Sequence, residues 1–136
     1  EVTRLFSIEG YSTVYQMVSE VRGVLKEGVG LADILTALFP TGSVTGAPKK
    51  RACEIIEELE PNRRGLYTGA IGFIEPSGDM VFSVAIRTLS LSGNKGVLGV
   101  GGAIVADSKP EREYEESLLK AQAAFRALGV NPERRE

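Results

Sequence analysis

Two short, turn-rich connections constrain the fold of this chain more than any other feature. They read PSGD and SGNK, and they separate three strand-like segments, 65–74, 80–91 and 96–105. Connections of this length join antiparallel neighbours, because parallel strands need a crossover of about a dozen or more residues. The sequence therefore predicts an antiparallel meander in the second half of the chain.

Helices are predicted on both sides of the meander. Apolar residues at helical spacing in 48–59 predict an amphipathic helix, with Thr45 as a candidate N-cap and Pro48 in its first turn. A second helix is predicted over 110–128, where Gly129 ends it. Upstream, the sequence predicts two strands and a short helix, over 3–8, 13–25 and 33–39. The expected fold class is α+β, an antiparallel sheet with packed helices, in one domain.

Composition excludes several classes of protein and mechanism. The net charge of −2 gives no basic field for nucleic acid, and no apolar run is long enough to span a membrane. The chain of 136 residues lacks histidine, which excludes Ser-His-Asp triads and histidine-ligated zinc. Cys53 is the only cysteine, so no internal disulfide can form, which fits a reducing, cytoplasmic compartment. Acid–base chemistry must then use carboxylates, lysine, tyrosine or water.

The predicted final helix carries a charged face. Glu113, Glu116 and Lys120 share this face at spacing i, i+3 and i+7. Two carboxylates one turn apart suit Mg²⁺, a hard ion that completes its shell with water and substrate oxygens. Alternatively, the face is simply solvated, since Glu116 and Lys120 also form an ordinary i, i+4 ion pair. The apolar stripe predicted to face the core consists of Tyr114, Leu118, Ala121, Phe125 and Leu128.

The loop PTGSVTGAPK, residues 40–49, offers Ser43, Thr45 and Lys49 near the N-terminus of the first amphipathic helix. It lacks the G-x-x-x-x-G-K-[ST] spacing of nucleoside-triphosphate loops. Free backbone N–H groups and the helix dipole nevertheless favour an anion there, either a carboxylate or a phosphate. The alternative is a capped loop with a surface lysine.

Three further features each leave two interpretations open. The glycine run that begins at Gly99 (GVGGAIV) indicates either close approach of a ligand or a bulged strand, and it does not match a dinucleotide-binding motif. Strand alternation places Arg87 on the same face as Ala85 and Ser83. There it either faces solvent or binds a carboxylate through two hydrogen bonds. Tyr67 has the same ambiguity.

Five ordered motifs together resemble the C-terminal part of the chorismate-utilising enzymes. They are GSVTGAPKKRACEIIEELEP, RRGLYTGAIGF, SVAIRTL, GGAIVADS and EREYEESLLKA, and the resemblance as a whole covers nearly the whole chain. The family includes component I of aminodeoxychorismate synthase and of anthranilate synthase, and the isochorismate and salicylate synthases. Thr45, where anthranilate synthases usually have serine, makes the chain more similar to the aminodeoxychorismate branch. The resemblance implies that residues 1–136 are the C-terminal part of a chorismate-binding catalytic domain.

The resemblance implies a role for each matching residue. Glu113 and Glu116 match the ligands of Mg²⁺, the expected cofactor, and Glu116 and Lys120 are the expected catalytic residues. Chorismate is a dicarboxylate, so cationic side chains and backbone N–H groups are expected around it. The residues expected to bind it are Ser43, Thr45, Lys49, Tyr67, Arg87, Gly101, Gly102 and Lys120.

Two residues depart from the family pattern. Gln16 stands where most relatives have histidine, and Ala103 where they commonly have glycine. Glutamine cannot transfer a proton, which suits an enzyme that stops at aminodeoxychorismate. The resemblance also implies a missing upstream lysine segment, so the chain alone is expected to be inactive and to self-associate through exposed apolar surface. A glutamine amidotransferase is the expected source of ammonia, and the alternatives are anthranilate synthase component I and a degenerate, non-catalytic binding module.

Overall fold

The computed structural model describes residues 1–12 and 14–130, which form six strands and four helices. The strands are β1 (Val2–Gly10), β2 (Tyr15–Val21), β3 (Ala70–Ile74), β4 (Met80–Val84), β5 (Leu89–Ser92) and β6 (Lys95–Leu98). The helices are α1 (Leu31–Leu38), α2 (Gly42–Thr45), α3 (Lys49–Leu59) and α4 (Pro110–Leu128). These elements confirm the predicted α+β class. None of the helices described is long and apolar enough to cross a membrane.

The strands form three separate two-stranded antiparallel sheets, β1–β2, β3–β4 and β5–β6. The predicted meander is therefore wrong as one continuous sheet, although both of its turns join antiparallel partners. β4 ends at Val84, after which the Ala85 N–H donates to Gly69 O at 2.9 Å and Arg87 takes a φ of 51°. This positive φ leaves the extended region, so the strand predicted over 80–91 is interrupted before β5.

The glycine run after β6 is not a strand. Residues 99–105 have no regular hydrogen-bonded structure, so the strand predicted over 96–105 ends at Leu98. The reason lies in its partner, because Leu98 pairs with Leu89, the first residue of β5. Before Leu89, the segment that leads into β5 bends at Arg87, so no further residues are available to pair with the chain beyond Leu98. The run is therefore free to approach other parts of the protein.

Two compact units, Glu1–Leu35 and Thr36–Glu136, divide the chain. The first unit holds the antiparallel β1–β2 hairpin. The strand predicted over 13–25 is confirmed only in its middle, as β2, and residue 13 lies outside the described residues. The second unit holds the two remaining sheets together with α2, α3 and α4, and it contains most of the residues predicted to be functional.

The apolar stripe predicted on α4 is covered only in part, since Ala121 is buried and Phe125 is half-buried, whereas the other three residues of the stripe are exposed. Ala121 is 1% exposed, as expected, but Tyr114 is 62% exposed and Leu118 is 40% exposed. The inward side also carries Lys120, whose Nζ donates to Gly101 O at 3.1 Å. A charged side chain bonded to the glycine run therefore helps to fix the orientation of α4.

The start of α3 also differs from the prediction. Thr45 lies in α2, where its hydroxyl donates to Thr41 O at 3.0 Å, so it is not the N-cap of α3. Pro48 occupies that position without a side-chain hydrogen bond, and the helix begins at Lys49. The predicted N-cap is wrong because the short helix α2 uses the Thr45 hydroxyl before α3 begins.

Candidate functional site

A cavity of about 940 Å³ lies within the second unit. Its walls come from α2, α3, α4, the glycine run and the segments on either side of the β3–β4 hairpin. The cavity brings together eight of the ten residues predicted at the site: Ser43, Thr45, Tyr67, Arg87, Gly101, Gly102, Glu113 and Lys120. Of the other two, Glu116 pairs with Lys120, whereas Lys49 lies elsewhere.

The apolar stripe of α3 forms one wall of this cavity. Its four residues all line the space, and they are Ala52, Ile55, Ile56 and Leu59. Leu59 is 76% exposed and Ile55 is 38% exposed, so the stripe is not covered by the rest of the unit. The amphipathic pattern predicted the helix correctly, and the structure shows that its apolar face borders a cavity.

The charged cluster occupies one side of α4. Lys120 Nζ lies 2.5 Å from Glu116 Oε1 and also donates to Gly101 O. The Ser108 hydroxyl donates to Glu113 Oε1 at 2.6 Å. Each carboxylate is therefore held by a neighbour through one of its oxygens, and the predicted grouping of these three charged residues of α4 on one side of the helix is confirmed.

Gly102 leaves room for the two carboxylates to converge. A Cβ atom at this position would lie 3.1 Å from Glu113 Oε2 and 3.4 Å from Glu116 Oε1. Both carboxylates therefore approach one point that a larger residue would fill. Such a pair of oxygen donors fits Mg²⁺. Within 1–12 and 14–130, no cluster of three or more His, Cys, Asp or Glu side chains could hold a metal, so water and substrate would have to complete the shell.

Tyr67 packs directly against the glycine run. A Cβ atom on Gly99 would lie 2.3 Å from Tyr67 Cγ, and one on Gly101 would lie 3.0 Å from the Tyr67 hydroxyl. Only glycine allows this approach at position 99, because real Cβ atoms do not come so close to a ring. The close approach that the glycines predict is therefore made, in this structure, by the side chain of Tyr67.

Arg87 reaches the cavity by a route that strand alternation did not predict. It follows the end of β4 with a φ of 51°, so its predicted strand face, shared with Ala85 and Ser83, does not exist. Ala85 is buried, whereas Arg87 is exposed and lines the cavity. The guanidinium is therefore accessible to a ligand that carries a carboxylate.

Lys49 and Gln16, two other positions singled out in the sequence, make contacts of their own. Lys49 Nζ donates to Phe39 O at 3.1 Å and to Ala37 O at 3.4 Å, at the end of α1, and the side chain does not line the cavity. Gln16 belongs to the first unit, where it pairs with Glu9 across the β1–β2 hairpin. Substrate binding by Lys49 stays a prediction from the sequence.

Sequence reasoning missed Arg64 and its partner Glu60, which both line the cavity. Arg64 forms a two-point ion pair with Glu60, with Nε–Oε2 at 2.9 Å and Nη2–Oε1 at 2.6 Å. These hydrogen bonds from Arg64 hold the pKa of Glu60 below its ordinary value of 4.5, against the opposing effect of desolvation. The same hydrogen bond with Glu60 raises the pKa of Arg64. The i, i+4 spacing of the pair was the available signal.

We expect acid to lower the stability of the folded protein by protonating Glu60. Because its pKa is lowered in the folded state, the ionised carboxylate contributes stability above about pH 4.5, and this contribution is lost as the pH falls through the folded-state value. We expect the melting temperatures of the wild type and Glu60→Gln to differ at neutral pH and to converge in acid. Circular dichroism melts between about pH 7 and about pH 3 measure this difference. Glu57→Gln, an exposed change in the last turn of α3 before Glu60, is the control. A Glu60→Gln difference that stays constant with pH would contradict the prediction.

Comparison with known proteins places this chain in a family. Residues 1–126 match the family model described as chorismate binding enzyme. The chain is 48% identical over 132 residues to aminodeoxychorismate synthase component 1 of Bacillus subtilis (strain 168), covering 97% of this chain and 28% of that protein. It is 46% identical over 135 residues to anthranilate synthase component 1 of Aquifex aeolicus (strain VF5), covering 99% and 27%.

A solved structure is also similar to this chain. The crystal structure of anthranilate synthase component I from Streptococcus pneumoniae TIGR4 superposes with a TM-score of 0.78 at 39% sequence identity, over 90% of this chain and 28% of that one. The chain thus spans little more than a quarter of the length of these relatives. The family match over residues 1–126, together with the motifs that line the cavity, shows that the chain belongs to the chorismate binding enzymes.

Proposed function

We propose that this chain is the C-terminal part of an aminodeoxychorismate synthase component I, which aminates chorismate with ammonia to give 4-amino-4-deoxychorismate. The observation that carries the proposal is the convergence of Arg87, Tyr67, Lys120 and Glu113 on one cavity. The 48% identity to an aminodeoxychorismate synthase component 1 supports the choice of reaction.

The cavity offers separate partners for the two carboxylates of chorismate. The exposed guanidinium of Arg87 can bind one carboxylate through two parallel hydrogen bonds. Lys120 places an ammonium beside the glycine run, where backbone N–H groups can bind the other. The apolar wall of α3 would then cover the ring and exclude water from the reacting carbon atoms.

Glu113 and Glu116 would hold Mg²⁺ on the side of the cavity formed by α4. The chemistry that this ion supplies when bound is Lewis-acid assistance to the departing C4 hydroxyl of chorismate. The protein's own part is to orient the ligands, since Ser108 fixes Glu113 and Lys120 fixes Glu116. We propose that ammonia comes from a glutamine amidotransferase partner.

Anthranilate synthase component I is the second candidate, favoured by 46% identity over nearly the whole chain. The two reactions share the substrate and differ in whether pyruvate is lost. Gln16 in place of the family's usual histidine supports a product that keeps the enolpyruvyl group, because glutamine cannot donate the proton that would help to expel it.

Product analysis separates these candidates. The protein at its natural length is incubated with chorismate, ammonium and Mg²⁺, and parallel samples contain EDTA in place of Mg²⁺. Aminodeoxychorismate without pyruvate is the expected result, identified by mass. Anthranilate with an equal amount of pyruvate would favour the second candidate. Chorismate binding without turnover would favour a non-catalytic binding module, and the absence of binding would overturn the proposal.

A further inference from the structure

We infer that Arg64 is a positioning residue, which fixes Tyr67 and α2 on the wall of the cavity. The inference rests on the proposed function, because the ligand whose binding it would affect is chorismate. Arg64 lies between α3 and β3, in the turn that leads to Tyr67, and it lines the cavity beside that residue. The number and direction of its hydrogen bonds, rather than its charge alone, carry the inference.

Arg64 connects three parts of the second unit. Its two-point ion pair with Glu60 anchors it to the end of α3. Its Nη1 donates to Val44 O in α2 at 2.9 Å and, at the longer distance of 3.4 Å, to Thr68 Oγ1. The guanidinium carbon lies 5.6 Å from the centroid of the Tyr67 ring, within the range of a cation–π contact. One planar group therefore links α3, α2 and the turn that carries Tyr67.

Most of the hydrogen-bonding capacity of Arg64 is already used by the protein. A guanidinium has five N–H groups, and Nε, Nη1 and Nη2 all donate to protein acceptors. Glu60 also balances its charge. Arg64 is therefore poorly suited to bind a substrate carboxylate itself, in contrast to the exposed Arg87 in the same cavity. Its contribution to the site comes through the residues that it holds.

The elements that Arg64 holds are a very short helix and a turn with an unusual backbone conformation. α2 has only four residues, and no side chain caps its N-terminus, yet it carries Ser43 and Thr45. Tyr67 precedes Thr68, a buried residue with a positive φ of 66°, so the turn adopts an uncommon conformation. A planar fork can donate in three directions at once, whereas a lysine ammonium at this position cannot match that geometry.

The first test reads the position of Tyr67 without any ligand. The protein is labelled with 3-fluorotyrosine, and the ¹⁹F resonance of Tyr67 is assigned by its loss in Tyr67→Phe. Arg64→Lys should shift this resonance, and Glu60→Gln, which weakens the anchor while keeping the arginine, should shift it in the same direction by less. Arg63→Lys, a change of the exposed neighbouring arginine, should leave it in place. An unmoved Tyr67 resonance in folded Arg64→Lys would overturn the inference.

The second test reads the consequence for the substrate. In the protein at its natural length, Arg64→Lys should raise KM for chorismate about 10-fold to 100-fold, with a smaller change in kcat. A merely structural role would reduce the amount of folded enzyme and leave KM unchanged. In a double-mutant cycle, the Arg64→Lys effect on KM should shrink when Tyr67 is already phenylalanine.

The two tests separate the inference from the proposed function. A shifted Tyr67 resonance that chorismate does not perturb in the wild type would leave Arg64 as a positioning residue and overturn the assigned substrate. Normal chorismate turnover with an unchanged KM in Arg64→Lys would overturn the inference and leave the proposed function in place.

Discussion

Replacing Glu116 by glutamine should lower magnesium-dependent turnover of chorismate by at least about 100-fold and leave the fold intact. Glutamine keeps an oxygen that can accept a hydrogen bond from Lys120, but it removes the negative charge that attracts a divalent cation. Glu116 is half exposed, and an ion pair of this kind contributes no more than about 1 kcal/mol to stability. The loss of turnover would therefore report on the site and not on unfolding.

Glu115→Gln is the matched control for this change. Glu115 is the exposed neighbour of Glu116 on α4, so its replacement alters the net charge equally without touching the site. Steady-state rates at several Mg²⁺ concentrations, together with melting temperatures, compare the two variants. A Glu116→Gln enzyme as fast as Glu115→Gln would contradict the metal assignment.

Replacing Gly99 by alanine should both destabilise the protein, by about 1–3 kcal/mol, and weaken chorismate binding about tenfold or more. The added Cβ would lie 2.3 Å from Tyr67 Cγ and 2.7 Å from Tyr67 Cβ. These two atoms are the ones closest to the backbone in the tyrosine side chain, so rotation of the ring about its own axis cannot relieve the contact. Either the backbone at Gly99 or the turn that carries Tyr67 must move, and both belong to the cavity wall.

Gly23→Ala is the control, because a Cβ at Gly23 meets nothing within 4 Å and its φ is not positive. Chemical denaturation measures the change in unfolding free energy, and titration with chorismate measures the change in affinity. Wild-type affinity in Gly99→Ala would show that the cavity tolerates a displaced Tyr67, and it would remove Tyr67 from the set of residues proposed to bind substrate.

Sequence periodicity predicted where the helices lie better than it predicted which side of each helix is buried. The 3.6-residue period of α4 correctly defined the helix and placed Glu113, Glu116 and Lys120 on one side of it. It did not show which side turns inward, because that depends on a hydrogen bond from Lys120 to the backbone of Gly101, nineteen residues away. The apolar residues predicted the buried Ala121 correctly, but they also placed the exposed Tyr114 and Leu118 on the inward side.

The strands predicted over 80–91 and 96–105 were too long because of the backbone conformation at Arg87. Arginine does not favour a positive φ, so the residue type did not indicate the bend at position 87, and the predicted strand continued through it. The loss of the ladder beyond Leu98 follows from the same bend. Arg64 was missed for another reason, since its partner in α2, Val44, lies twenty residues away and becomes a neighbour only when the unit folds.

The apolar wall of α3 has a thermodynamic consequence. Because Ile55 and Leu59 are exposed in the ligand-free protein, a ligand that fills the cavity removes hydrocarbon surface from water at the moment of binding. Burial of this kind gives a negative change in heat capacity, which charge–charge contacts with Arg87 or Lys120 do not supply. The binding enthalpy should therefore become more favourable as the temperature rises, and its slope with temperature would report how far the ring of the ligand covers α3.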